Sequence, residues 1–133
     1  MTRRLAPLLF IALLVSPGCK RSKMPALNAV KGKVTRSGTP VAHVIVVLKS
    51  DETDQSFTVK GTSDSSGDLE VVTIEARTNL VKSGAPAGDY TVTVMVPMDE
   101  KQQGGATLKL PQKFKVGTGD NILNIDLDRL KKQ

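Results

Sequence analysis

The sequence predicts an all-β protein: one two-sheet sandwich of about seven short strands, preceded by a leader helix. From about Ala29 onward, short runs alternate apolar and polar residues, and Gly, Pro, Asn, Asp and Ser separate them, which is typical of strands and tight turns. Aromatic residues make up only 3% of the chain, so Val, Leu and Ile must form the core, and this composition favours strands. No segment after the leader keeps a helical period. The length of 133 residues suits a single domain.

The first 18 residues have the three-part pattern of a signal peptide. Arg3 and Arg4 form a positive n-region, residues 5–15 are apolar, and residues 16–18 (Ser-Pro-Gly) are small and turn-prone. The apolar run is shorter than the roughly 20 residues that a transmembrane helix needs. Residues 1–18 are therefore expected to form a signal-peptide helix, and the protein to be exported.

Cys19 directly follows this leader and is the only cysteine, so the chain cannot form an internal disulfide. Its position resembles that of the lipobox cysteine of bacterial lipoproteins. Gly18 fits the position before that cysteine, whereas Ser16 stands where Leu is usual. The resemblance implies that Cys19 Sγ receives a diacylglyceryl group and that cleavage occurs before Cys19. The alternative is an ordinary cleaved leader with an incidental cysteine.

Residues 19–28 are interpreted as the lipidated cysteine and a flexible basic tether. The tether has mixed polar character and no periodicity, and Lys20, Arg21 and Lys23 would add attraction to anionic lipid. Two acyl chains suffice for stable anchoring. The protein is therefore expected in the cell envelope, anchored by lipid to a membrane on its periplasmic side.

The charge pattern argues against nucleic-acid binding. The formal charge of +6 falls to +4 without Arg3 and Arg4, since 19 − 2 = 17 basic residues then face 13 acidic ones. The tether and a basic tail at 129–133 hold three cations each, so the body of the domain is close to balanced. A nucleic-acid surface needs basic residues clustered on one folded face, and the pattern does not predict one.

The strands of the domain, residues 29–128, follow from alternation and from turn residues. The predicted strands cover residues 30–35, 41–49, 57–61, 69–75, 90–96, 107–110, 113–116 and 122–127, the two before the last being weak and divided by Pro111. Loops are predicted at 76–87 and 98–105. The residues expected to face inward include Val30, Val34, Val44, Val46, Leu48, Tyr90, Val92, Val94, Val96, Leu123, Ile125 and Leu127. Ile45 and Val47 form an outward apolar stripe, which is expected to be covered by another strand; the alternative is a contact surface.

Four motifs in order resemble carboxypeptidase regulatory-like domains, also called transthyretin-like or prealbumin-like domains. They are VKGKV at 30–34 with GTPVA at 38–42, TSDSSGDL at 62–69, PAGDYTVTV at 86–94 and LPQKF at 110–114. The resemblance implies an Ig-like or prealbumin-like β-sandwich over residues 30–127. It also implies that the tyrosine enters the core and that its hydroxyl bonds back to the corner. The motif residues that carry this resemblance are Gly38, Pro40, Asp64, Gly67, Gly88 and Tyr90.

The sequence predicts no catalytic residue, metal site or cofactor. His43 is the only histidine, no partner is implied by its spacing, and it is interpreted as an outward strand residue. Asp64 and Asp68 flank a turn, where Asp64 is expected to cap and Gly67 to take a positive φ. Asp51, Glu52 and Asp54 are interpreted as a solvated acidic loop.

Two activities of related domains are disfavoured by the residues. A Lys–Asn isopeptide bond would need Lys31 or Lys33 near Asn121 or Asn124, but both lysines alternate with the inward Val30 and Val34. Hydrolysis of 5-hydroxyisourate in a transthyretin-like branch uses several histidines and a C-terminal Tyr-Arg-Gly-Ser motif, and this chain has neither.

The leading hypothesis is a lipid-anchored, non-enzymatic module that is structural or binds an envelope protein through the loops at 76–87 and 98–105. The alternative is a periplasmic lipoprotein that binds a small ligand or glycan, although the chain has no Trp and one Tyr for stacking. The sequence leaves the oligomeric state open.

Overall fold

A computed structural model describes residues 24–51, 56–97 and 106–132. Over these residues the protein is all-β, with fourteen short strands and one 3₁₀ turn, η1. The longer strands are β2 (Val30–Arg36), β4 (Ile45–Lys49), β5 (Phe57–Ser63), β6 (Asp68–Glu75), β9 (Gly88–Val96) and β10 (Ala106–Lys109). The short ones are β1 (Leu27–Asn28), β3 (Thr39–Pro40), β7 (Val81–Ser83), β8 (Ala85–Pro86), β11 (Phe114–Val116), β12 (Asn121–Ile122), β13 (Ile125–Asp126) and β14 (Lys131–Lys132), and η1 is Leu127–Arg129.

Hydrogen bonds link the strands in the order β12-β2-β6-β5-β4-β9-β10-β14. In this order, every neighbouring pair between β2 and β10 is antiparallel. Strand β11 also pairs antiparallel with β9, at residues Gly88 to Tyr90. The C-terminal strands β12 and β13 instead run parallel to β2. The two ends of the domain are therefore held together, an arrangement consistent with a β-sandwich.

One continuous core of aliphatic side chains fills the interior. Each inward residue predicted from alternation is buried except Val96, which is half-buried and packs against the core. The buried side chains are Val30, Val34, Val44, Val46, Leu48, Val59, Leu69, Val71, Ala85, Tyr90, Val92, Val94, Leu108, Val116, Leu123, Ile125 and Leu127. Most of these residues are Val, Leu or Ile, as the composition predicts.

Gly32 brings the first and last parts of the domain into backbone contact. A Cβ atom on Gly32 would lie 1.7 Å from the carbonyl oxygen of Leu123. The backbone N–H of Leu123 donates to the carbonyl of Lys31 at 2.8 Å in the same place. Only a residue without a side chain permits this approach, which seats Leu123 over the core.

Several predicted boundaries differ from the structure. The run at 41–49 forms a strand only from Ile45, because His43 takes a left-handed φ of 61° that ends extended pairing. The run at 122–127 divides into β12, β13 and the start of η1. Leu27 and Asn28, the last residues of the predicted tether, form β1 and pair with β8. The predicted basic tail contains β14, which pairs with β10.

The strand count of seven and the loop at 76–87 also need correction. Fourteen strand segments occur in the described residues, since many ladders are interrupted after two or three residues. The predicted loop contains β7, which pairs with β6, and β8, which pairs with β1. The three residues of β7 are all exposed, so their hydrophobicity carries no alternation that would reveal a strand. The predicted leader helix, Cys19 and the loop at 98–105 lie outside the described residues.

Candidate functional site

The turn motifs that are separate in sequence meet in space. Gly38 has a φ of 78°, and Pro40 just after it pairs with Thr35 of β2. Gly67 has a φ of 74°, and a Cβ atom there would lie 2.9 Å from Cβ of Pro40. The turn between β5 and β6 therefore packs directly on β3, and a residue larger than glycine would separate them.

Asp64 organises this turn with its side chain. Its Oδ1 accepts hydrogen bonds from the backbone N–H groups of Ser66 and Asp68, both at 2.9 Å. This geometry agrees with the predicted capping role of Asp64. Because Oδ1 is committed to backbone donors, the carboxylate serves the turn. No group of three or more His, Cys, Asp or Glu side chains suited to a metal ion occurs in residues 24–51, 56–97 and 106–132.

Tyr90, near the start of β9, closes the corner between β8 and β9. Its ring is 1% exposed, and its hydroxyl donates to the carbonyl of Pro86 at 2.6 Å. Gly88 begins the strand between these two residues. The corner therefore fixes the direction in which the chain leaves β8, and the tyrosine ring is inside the core and inaccessible to a ligand.

His43 is exposed, as predicted, but it precedes β4 instead of belonging to a strand. Its backbone N–H donates to the carbonyl of Ser63 at 2.9 Å. The buried hydroxyl of Ser63 accepts from Val44 N–H at 2.9 Å and donates to the carbonyl of Val41 at 2.7 Å. The Ser63 side chain thus provides hydrogen-bond partners for the backbone of Val41 and Val44, just before β4 begins. These bonds hold His43, with its left-handed φ, in place.

Glu75 is a buried acid that the sequence analysis did not single out. It lies on the inward face of β6, is 3% exposed, and its Oε2 accepts from Thr78 Oγ1 at 3.0 Å. Oε1 has no hydrogen-bond partner among the described residues. Glu75 continues the alternation of the inward residues Leu69, Val71 and Thr73. The sequence pattern could therefore have predicted that Glu75 is buried. Its burial keeps it from an external substrate.

The isopeptide arrangement is absent from the geometry of the described strands. Lys33 pairs in register with Asp68, whereas Glu75 lies seven residues further along β6, or about 23 Å at 3.3 Å per residue. The side chain of Asn124 instead accepts from the backbone N–H of Lys33 at 3.1 Å. Asn121 organises its own loop by accepting from Gly117 N–H at 2.9 Å. Both asparagines therefore have backbone roles.

Two adjacent clefts lie along the edge of β6 that pairs with β2 and with β7. One has a volume of about 480 Å³ and the other about 350 Å³, and both include Lys31 and Glu70. Glu70 accepts from the hydroxyl of Ser83 at 2.9 Å. Leu27 of β1 lines the smaller cleft. The chain thus enters the domain beside these clefts.

The outer sheet face beside the clefts is both apolar and basic. Cross-strand register places Ile45 opposite Met95, and Val47 between Lys60 and Thr93. We call this surface the apolar–basic face; it comprises Ile45, Val47, Val72, Ile74 and Met95 with Lys49, Lys60 and Lys109.

The expectation that another strand covers the Ile45–Val47 stripe was wrong at Ile45. Ile45 is 38% exposed and Met95 39% exposed, whereas Val47 is half-buried. Other strands extend the stripe sideways, because β4 lies inside the sheet between β5 and β9.

Comparisons with family models, with curated proteins and with solved structures each gave no match. Among the described residues, no helix has the length and hydrophobicity to cross a bilayer.

Proposed function

We propose that the protein is a lipid-anchored, non-enzymatic module of the bacterial cell envelope, held by lipid on Cys19 to a membrane on its periplasmic side. The order of segments carries this proposal. A leader-like stretch ends at the single cysteine, a basic tether follows, and the β domain begins at Leu27. A cysteine placed between a leader and a folded domain is suited to anchoring, because the tether leaves the domain outside the bilayer.

We also propose that the domain is an Ig-like or prealbumin-like sandwich of the carboxypeptidase regulatory-like type. The hydrogen bond from Tyr90 to Pro86 and the packing of Gly67 on Pro40 support this assignment. The Gly67–Pro40 contact joins the first two motifs on which the resemblance rests, and the Tyr90–Pro86 hydrogen bond lies within the third. Such a domain is rigid, and its role is to present surface segments to a partner.

The segment at 76–87 is the described part of the proposed partner surface. Leu80 is 45% exposed and Val81 is 54% exposed; Val81 begins the edge strand β7, and Leu80 directly precedes it. Large exposed aliphatic side chains on an edge strand are suited to protein contact. Glycan binding has less support, because the ring of Tyr90 is buried and cannot stack on a sugar.

Metabolic labelling with an alkyne fatty acid in a bacterial host tests the anchor. We expect label on the wild-type chain and on Ser22→Ala, a matched tether variant that keeps the thiol, and no label on Cys19→Ser. Equal label on Cys19→Ser, or an unlabelled wild-type chain, would contradict lipidation at Cys19.

Photo-crosslinking in cells tests the partner surface. A crosslinking residue at Val81 should capture a discrete envelope protein, whereas the same residue at the exposed Thr118, on the loop after β11, should not. Identical products from both positions would show that the contacts are nonspecific and would reject this surface.

A further inference from the structure

The apolar–basic face has the chemistry of a surface that lies on an anionic bilayer. Five neighbouring strands contribute to it, in the order β6-β5-β4-β9-β10. The face therefore spans about 19 Å across the strands at about 4.8 Å per strand. Along β4, from Ile45 to Lys49, it extends about 14 Å at about 3.4 Å per residue. Threonines fill the other outward positions on β5, β9 and β10: Thr58, Thr62, Thr91, Thr93 and Thr107. No bulky charged loop interrupts this area among the described strands.

The lysines surround the apolar centre. Lys60 lies directly opposite Val47, Lys49 follows Val47 by two positions on the same face, and Lys109 lies opposite Thr93, the neighbour of Val47 on β9. None of the three forms an ion pair with another described residue. Long lysine stems can lie along apolar surface while their ammonium groups reach outward to lipid phosphates.

The charge of the face is complementary to anionic lipid. The face itself carries three lysines; at its border Glu70 pairs in register with Lys31 and accepts from the hydroxyl of Ser83. Each cation near an anionic membrane surface adds attraction, and the exposed Ile45 and Met95 add apolar contact at the headgroup level.

The tether brings this face within reach of the bilayer. Leu27 lines the same cleft as Glu70 and Ser83, so the chain enters the domain at the border of the face. Leu27 lies eight positions after Cys19, which limits the distance between their Cα atoms to about 28 Å even when the chain is fully extended. A domain on so short a tether stays beside the membrane, and its entry point lies at the basic face.

We infer that the apolar–basic face docks on the surface of an anionic lipid bilayer and orients the β domain on the membrane. This inference rests on the proposed anchor only in that the anchor supplies the bilayer. The alternative occupant is a second copy of the chain. The face has an area of roughly 270 Å², whereas a stable interface buries about 800 Å² per partner, so the face alone is too small for a stable dimer.

The test uses the full chain with Cys19→Ser and one new cysteine labelled with the environment-sensitive dye NBD. The probe is placed at Thr62, which is exposed and lies opposite Ile45, and in the control chain at Thr118, which is exposed on the loop after β11. Each chain is mixed with preformed vesicles of phosphatidylcholine alone and with preformed 3:1 phosphatidylcholine–phosphatidylglycerol vesicles.

We expect the emission of the Thr62 probe to rise and shift to the blue only in anionic vesicles, and the Thr118 probe to respond to neither. Lys49→Gln, Lys60→Gln and Lys109→Gln together should lower the docking constant on the order of 100-fold. The matched control, with the exposed Lys82, Lys115 and Arg129 changed to Gln, should dock like the parent chain.

Equal responses in the two vesicle types, or equal responses of the two probes, would overturn the inference. A Thr62 response that grows with protein concentration without vesicles would assign the face to a second copy instead. Because every chain in this test lacks Cys19, failure of docking says nothing about lipidation, and failure of lipidation leaves this result intact.

Discussion

Replacing Gly32 with alanine should destabilise the domain more than any other single-methyl addition at a described glycine of ordinary φ. The new Cβ would lie 1.7 Å from the carbonyl oxygen and 2.4 Å from the carbonyl carbon of Leu123. Both are backbone atoms, so no side chain can rotate away, and the C-terminal segment must move off β2. The hydrogen bond from Leu123 N–H to Lys31 and the burial of the Leu123 side chain would be lost.

The expected cost follows from these two losses. One backbone hydrogen bond contributes about 1 kcal/mol, burial of a leucine about 1.5–3 kcal/mol, and the residual strain about 1 kcal/mol, which gives a total of about 3.5–5 kcal/mol. This is a large fraction of the stability of a small domain.

Urea unfolding followed by far-UV circular dichroism measures this cost. Gly117→Ala is the matched control, because Gly117 has an ordinary φ and the nearest atom to its added Cβ is 4.0 Å away. The control should stay within about 0.5 kcal/mol of wild type. If Gly32→Ala unfolds at the same urea concentration as Gly117→Ala, the close approach of β2 and the C-terminal segment is wrong.

Three further predictions concern side chains that hold the turns. Ser63→Ala should cost about 1–3 kcal/mol in urea unfolding, because it leaves the buried N–H of Val44 without its acceptor, whereas the exposed Ser83→Ala should have little effect. Tyr90→Phe should cost about 1 kcal/mol by the same measurement, since it removes the hydroxyl that donates to Pro86 and keeps the ring in the core; an unchanged midpoint would reject the corner bond. Hydrogen bonds from the Ser37 side chain and backbone lower the pKa of Asp128, so its contribution to stability is present above the ordinary aspartate pKa and is lost as the pH falls through the lowered value. Asp128→Asn should therefore be less stable than wild type at neutral pH, and thermal melts of the two should converge at strongly acidic pH; a constant difference across the pH range would contradict this linkage.

Alternation along single strands predicted the core well. The inward positions of β4 and β9, such as Val46 and Val94, follow from a period of two, because successive side chains point to opposite sides of a sheet. The turn at Asp64 and Gly67 was equally readable, since its residue types match its backbone requirements.

Contacts between distant segments could not be read from local pattern. Ser37 and Asp128 are 91 positions apart, and nothing in either segment indicates the other. The apolar–basic face was visible only as Ile45 and Val47, because Met95 and Val72 join it through register. Register depends on which strands pair, and the sequence of one strand does not determine that.

The most direct test of the lipoprotein account is the intact mass of the protein recovered from the membrane fraction of a bacterial host. The account predicts the mass of the chain from Cys19 to Gln133 plus acyl groups. A chain that is cut elsewhere, carries no lipid and is recovered from the soluble fraction would contradict the account.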